Sequence, residues 1–343
     1  MIRSLLQITN YWLDRCRRRK VAMKYHALLS IAAALTVLVS CDVPLPEQYP
    51  LASKISLPEG IAYDELTYAF FTTAINGGEI SRMSALGQEQ VFYASTDPMV
   101  SFSGAHVDAE RRLLWVCQVD VKTDPVPNSK VVAFDIDERT LVRTIDLGEP
   151  SFCNDLTTDD EGTVYATDSA LPNIYKIGAD DEFEVFATSP QFAPVAPGAM
   201  ALNGLDIAPG GEELLVVKTI PAALYRVSLS DPSDIAEVTF TGDPFALPGD
   251  PRFPGPDGLE FLGDELYVIY DGGVQQLSFA GDDYAQAVVR TTTAVPTGLT
   301  SATVAEGRLY MVDSEVYRVL YQFQQPNLPF KILHLDESLF DGP

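Results

Sequence analysis

Six polar residues stand at matched places along the chain: Glu59, Ser103, Asn154, Asn203, Asp257 and Thr300, with successive separations of 44, 51, 49, 54 and 43 residues. Four of them are carboxylates or carboxamides. Oxygen ligands that bring two negative charges and no thiolate suit a hard divalent cation, calcium above all, with zinc, manganese or magnesium as alternatives. A cation held this way is a Lewis acid toward a carbonyl or phosphoryl oxygen. Asp257 is then the candidate general base or nucleophile. Taken alone, Asp257 at the head of PGPDGLEFLGDELYV (254–268) reads as ordinary turn chemistry. Its recurrence in a set of six argues for more.

Each of the six opens a similar phrase. They are LPEGIAYDELTYAFF (57–71), FSGAHVDAERRLLWV (102–116), FCNDLTTDDEGTVYA (152–166), LNGLDIAPGGEELLV (202–216), PDGLEFLGDELYV (256–268) and LTSATVAEGRLYMV (299–312). A polar or small pair leads into an alternating strand, then an Asp-, Glu- or Gly-rich turn, then a second strand of large apolar residues. Third strands follow at EISRM, VVAFDI, NIYKI, ALYRVSL, GVQQLSF and VYRVLY, and fourth strands at QVFYA, TLVRTI, FEVFA, AEVTF, AVVRT and KILHL. Such a repeat predicts an all-β fold over 57–343: a six-bladed β-propeller of four-stranded antiparallel blades around a central channel. The first strand of each blade lines the channel, so a shared register brings Glu59, Asn154, Asn203 and Asp257 to one height as metal ligands. Ser103 and Thr300 complete the ring as candidate substrate contacts.

His106 is a further candidate for touching substrate, with a condition. It lies three residues beyond Ser103, and strict alternation points it to the opposite face unless a bulge intervenes. His26 falls in the leader and His334 in the last apparent strand. No nucleophile elbow, phosphate-binding loop, H-E-x-x-H or C-x-x-C competes with the ring.

The formal charge of −25 is unevenly spread. Residues 1–41 carry seven basic side chains against one acid, and removing that +6 from −25 leaves −31 on the remainder. Such a body repels phosphate backbones, which argues against nucleic acid as a partner. MKYHALLSIAAALTVLVSC (23–41) has a basic start, a short apolar run and a small-residue end, as an export signal does. Its LVSC ending resembles a bacterial lipoprotein signal, with Cys41 lipidated and Met23 as an alternative start. Asp42 resembles the inner-membrane retention signal of Gram-negative lipoproteins. The expectation is a leader over 1–41, a Pro-rich tether over 42–56, and a domain outside the cytoplasm held to the membrane through Cys41. A disulfide between Cys117 and Cys153 is permitted there, and spacing alone leaves it open.

PEG (58–60), NDLTTDDEGTVYATDS (154–169), NGLDIAPGGEELLV (203–216) and PDGLEFLGDELYV (256–268) together resemble the senescence-marker/gluconolactonase family of six-bladed propellers, the regucalcin-like lactonases. The resemblance runs from about residue 57 to about 320. It implies direct metal ligation by Glu59, Asn203 and Asp257. Asn154 would be a fourth ligand or a contact to water and substrate; the related paraoxonases and diisopropylfluorophosphatase, with a comparable Glu/Asn/Asn/Asp set, favour ligation. The implied activity is calcium-dependent hydrolysis of lactones or related esters. An arylesterase or phosphotriesterase using the same ring, and a non-catalytic calcium-stabilised binding propeller, are the alternatives.

Overall fold

The computed structural model describes residues 45–97, 99–120, 128–245, 255–320 and 322–336. The leader, Cys41 and Asp42 lie outside them. Strand β1 (Gln48–Pro50) opens the described chain. Four sheets of four antiparallel strands follow in chain order. The first holds β2 (Pro58–Asp64), β3 (Ala69–Ala74), β4 (Glu79–Ser84) and β5 (Glu89–Ala94). The second holds β6 (Val100–Asp108), β7 (Leu113–Asp120), β8 (Asn128–Asp135) and β9 (Thr140–Asp146). The third holds β10 (Cys153–Thr158), β11 (Val164–Asp168), β12 (Asn173–Ile177) and β13 (Phe183–Thr188). The fourth holds β14 (Leu202–Ile207), β15 (Glu213–Lys218), β16 (Ala223–Ser228) and β17 (Ile235–Glu237).

The last two sequence units share one seven-stranded sheet, made of β18 (Thr239–Thr241), β19 (Leu259–Leu262), β20 (Glu265–Phe279), β21 (Gln286–Ala305), β22 (Arg308–Asp313), β23 (Lys331–His334) and β1. The long strands β20 and β21 each serve two neighbours. β20 pairs with β19 through Glu265–Val268 and with β21 from Asp271 onward, while β21 turns to β22 from Leu299.

Three sequence readings change here. VYRVLY was expected as a strand, but Val316–Leu320 form the short helix α1; β1 supplies the fourth strand of the closing sheet by pairing with β23. That pairing also revises the tether, since Leu45, Tyr49 and Leu51 of that stretch are buried in the core. Prolines made the segment look like a linker, yet an edge strand tolerates residues that cannot donate to a ladder. AEVTF splits between β17 and β18, and β18 pairs in parallel with β21 of the next sheet.

Apolar residues of successive sheets interleave in wedges. Phe71, Ile80 and Phe102 pack with Val116 and Phe134 between the first and second sheets. Tyr165 and Phe186 pack with Leu214 and Val227 between the third and fourth. The cysteine question is answered: Cys117 of β7 and Cys153 of β10 form a disulfide between the second and third sheets.

A bidentate ion pair crosses another seam. Arg112, in the β6–β7 turn, donates to Asp64 at 2.5 and 3.0 Å and to Asp137 at 2.9 Å. Asp64 is fully buried, so removing its cation strands a charge. Arg112→Met is expected to cost about 3 kcal/mol. Chemical denaturation checks this; a loss below about 1 kcal/mol would place the pair among weak surface contacts.

Candidate functional site

The first strands β2, β6, β10, β14, β19 and the second half of β21 are neighbours in a closed cycle. Five share one irregularity. Pairing jumps from Pro58 to Ile61, Phe102 to Ala105, Cys153 to Leu156, Leu202 to Leu205 and Leu299 to Ala302, while each partner strand advances only two residues. These are β-bulges, in which two residues oppose one. The residues opening them are Glu59, Ser103, Asn154, Asn203 and Thr300. Asp257 holds the matching place before β19, its N–H donating to Ile269 O at 2.8 Å while Ile269 N–H donates to Gly258 O at 2.9 Å.

The bulges are pressed together around the cycle. Ser103 Oγ donates to Cys153 O at 2.9 Å, Thr167 Oγ1 to Asn203 O at 2.7 Å and Thr300 Oγ1 to Glu59 O at 2.7 Å. Gly204 N–H donates to Asp257 O at 2.7 Å. Glycine is required at such a seam: a Cβ on Gly204 would stand 2.6 Å from Asp257 O, and one on Gly60 2.5 Å from Ser103 O.

All six residues expected in the ring line one cavity of 430 Å³. The four ligand candidates are buried. Asn154 Nδ2 donates to Ser169 Oγ at 2.9 Å and Asn203 Nδ2 to Thr219 Oγ1 at 3.0 Å, so each carboxamide's orientation is set by its own sheet. Asp257 accepts hydrogen bonds from Tyr317 and Asn203. Tyr317 was missed from sequence because VYRVLY read as a strand. As part of α1 it reaches the cavity together with Val316 and Leu320.

The electrostatics are those of buried acids. Burial pushes the Asp257 carboxyl up to about 7, against the donations from Tyr317 and Asn203, with the charges of Asp155 and Asp271 adding to the rise. Glu59 is held well above the usual carboxylate range by burial, then by Asp257 and Asp155.

The ring has the donor chemistry of a cation site. Glu59 Oε2 and Asn154 Oδ1 are buried acceptors without a hydrogen-bond partner, and such orphans are costly unless something electropositive meets them. Among the described residues no three His, Cys, Asp or Glu side chains form a metal-holding group. An ion here would therefore rest on two carboxylates and two carboxamides. No Lys, Arg or His is among the described residues lining the cavity.

His106 is elsewhere. The bulge at 103–104 restores its parity with Ser103, but it lines a second cavity of 180 Å³ with Thr157, Asp206, Glu260 and Thr303. Each of those lies three residues beyond a ring residue. Burial lowers the His106 pKa to about 4, so the imidazole is neutral at ordinary pH. Burial raises Asp155 to about 7 and Asp206 to about 6, and holds Glu260 well above its usual value.

Five acids, Glu59 and Asp257 buried in the ring and Asp155, Asp206 and Glu260 half-buried beside the second cavity, thus shift in one direction. Unfolded, they titrate near 4; between that and about 7 the folded state holds the extra protons, so stability falls as pH rises through this window. The chelated protein should show a lower melting midpoint at pH 8 than at pH 5. A midpoint that rises from pH 5 to pH 8 would contradict the shifts.

No protein-family model matches the chain, and no curated protein matches it. Solved structures do. The major allergen Mala s 1 of Malassezia sympodialis aligns over 86% of this chain and 97% of its own, with 17% identity and a TM-score of 0.67. A gluconolactonase of Xanthomonas campestris covers 84% and 89% at 16% identity and a TM-score of 0.57. A luciferin-regenerating enzyme covers 84% and 94% at 14% identity and a TM-score of 0.59. The fold is propeller-like. At these identities the likeness is one of architecture, and it fits a nearly all-β chain built of successive four-stranded antiparallel sheets.

Proposed function

We propose that the protein is a divalent-cation-dependent hydrolase of lactones or related esters, built as a six-bladed propeller whose seven-stranded sheet supplies the fifth and sixth blades. The observation that carries the reading is the convergence of Glu59, Asn154, Asn203 and Asp257 on one cavity, with Glu59 Oε2 and Asn154 Oδ1 unpartnered. A gluconolactonase among proteins of the same architecture agrees with it. These four side chains would hold the cation, calcium before zinc, manganese or magnesium. Bound there, it would supply a Lewis acid for the substrate's carbonyl oxygen.

The chain's own residues do the rest. Tyr317 and Asn203 fix the Asp257 carboxylate, so that a free oxygen can take a proton from attacking water. The orientation of Asn154 and Asn203 is set beforehand by Ser169 and Thr219, which spares reorganisation when charge develops. Val316 and Leu320 of α1 border the cavity and limit bulk water. Ser103 and Thr300 line it too, but their hydroxyl protons go to backbone carbonyls of adjoining strands. Their part is to hold the ring. The site would lie outside the cytoplasm, the chain anchored through a lipid on Cys41.

The test is acid release from a panel of lactones and esters, followed by pH-stat with the purified full-length chain. Hydrolysis that a chelator abolishes and calcium restores is the expected result. Chelator-insensitive hydrolysis would remove the cation from the reaction. A folded, calcium-binding protein that turns over no ester would instead be a binding propeller.

A further inference from the structure

Resting on the hydrolase reading above, we propose that the substrate is a lactone or ester bearing an apolar alkyl or aryl group, and not a polyhydroxylated sugar lactone. Above the ring the cavity is walled by Ile75, Val119, Phe152, Met200, Val316 and Leu320. These come from separate stretches of the chain, so the apolar character belongs to the whole wall.

The side-chain hydroxyls of the polar lining are already committed, and its carboxamides have few N–H donors to spare. Ser101 Oγ donates to Ile75 O at 2.6 Å, Ser103 Oγ to Cys153 O, Ser169 Oγ to Leu202 O and Thr300 Oγ1 to Glu59 O. The Tyr317 hydroxyl is bonded to Asp257. The Asn154 and Asn203 amides are turned to Ser169 and Thr219. No Lys, Arg or His is among the described residues of the lining.

A sugar lactone would bring several hydroxyls into this space. Several oxygens would give up water for a wall whose hydroxyls are already bonded elsewhere, and a buried polar group left unpaired costs affinity. The two unpartnered acceptors, Glu59 Oε2 and Asn154 Oδ1, sit in the ring where the cation belongs and are not free to receive those hydroxyls. An alkyl or aryl group has no such demand and gains from leaving water.

The experiment compares δ-valerolactones carrying alkyl chains of increasing length with glucono-δ-lactone, each corrected for spontaneous opening. Expected is a kcat/KM that climbs roughly fourfold per added methylene until the cavity fills, with the sugar lactone below the unsubstituted ring. A flat or falling alkyl series, or preference for the sugar lactone, overturns the inference and leaves the hydrolase reading intact. If neither class is turned over, calorimetry with 2-alkylcyclohexanones against inositol decides the pocket alone. Tighter ketone binding that grows with chain length supports it; equal or tighter inositol binding overturns it. Leu320→Glu, at an exposed rim position, should reduce the long-chain to unsubstituted ratio, in turnover or in binding, at least about tenfold. That magnitude corresponds to losing the burial of roughly two methylenes. An unchanged ratio would also overturn the assignment.

Discussion

Asp257→Asn is expected to lower lactone turnover by about 10³-fold while leaving a folded protein. The amide keeps the shape of the carboxylate and one acceptor oxygen for the donors Tyr317 and Asn203, so the local packing has little reason to open. What it loses is the capacity to take a proton from water. The wild-type carboxyl titrates at about 7 because it is buried and surrounded by other acids, so ionising it at pH 8 destabilises the metal-free fold. The variant avoids that, and its chelated form should melt no lower than wild type at pH 8. Parallel kinetics and melting curves check both halves. Turnover within tenfold of wild type would take Asp257 out of proton transfer, and a collapsed melting curve would make the carboxylate a structural element instead.

Glu59→Gln should have its largest effect on the cation. The substitution removes one of two negative charges from the ring and neutralises a carboxyl that burial, and then Asp257 and Asp155, already disfavour as an anion. Calcium affinity is expected to fall about 100-fold, the upper end of what disturbing a metal's supporting groups costs. Linkage converts this into stability. Calcium at one hundred times the wild-type dissociation constant stabilises wild type by about 2.7 kcal/mol and the variant by only about 0.4 kcal/mol. A calorimetric titration that matches wild type would remove Glu59 from the ligand set.

Much of the architecture was legible because a repeat imposes the same local physics several times. Each phrase pairs an alternating strand with a larger apolar one, and the four separate sheets follow those phrases in order. The ring was legible for the same reason: side chains at equivalent positions of equivalent strands must meet if the strands close on themselves, and all six line one cavity. The environment of the ring was less legible. A bulge sets two residues against one and leaves no mark in apolar periodicity, so the cavity that His106 faces could not be read from alternation. Val316–Leu320 have apolar spacing that suits either a strand or one turn of helix, and only the neighbouring structure decides. Tyr317 was lost with that choice. β1 was hidden by its prolines, and the disulfide by the fact that Cys117 and Cys153 belong to different sheets.

Placing the ring on bulges separates what the molecule is from what it can become. A side chain that opens a bulge takes no part in strand pairing through its identity; Glu, Ser, Asn and Thr occupy the same slot on the same backbone. Its neighbour one residue on has no such freedom at Gly60 and Gly204, where any Cβ collides with the next strand. The backbone therefore behaves like a typesetter's frame: it takes different letters around the axis, of which Ser103 and Thr300 also brace the adjoining strand, while the spacers between them cannot change. Divergence in such a protein should run through the ring and the rim above it long before it touches the glycines.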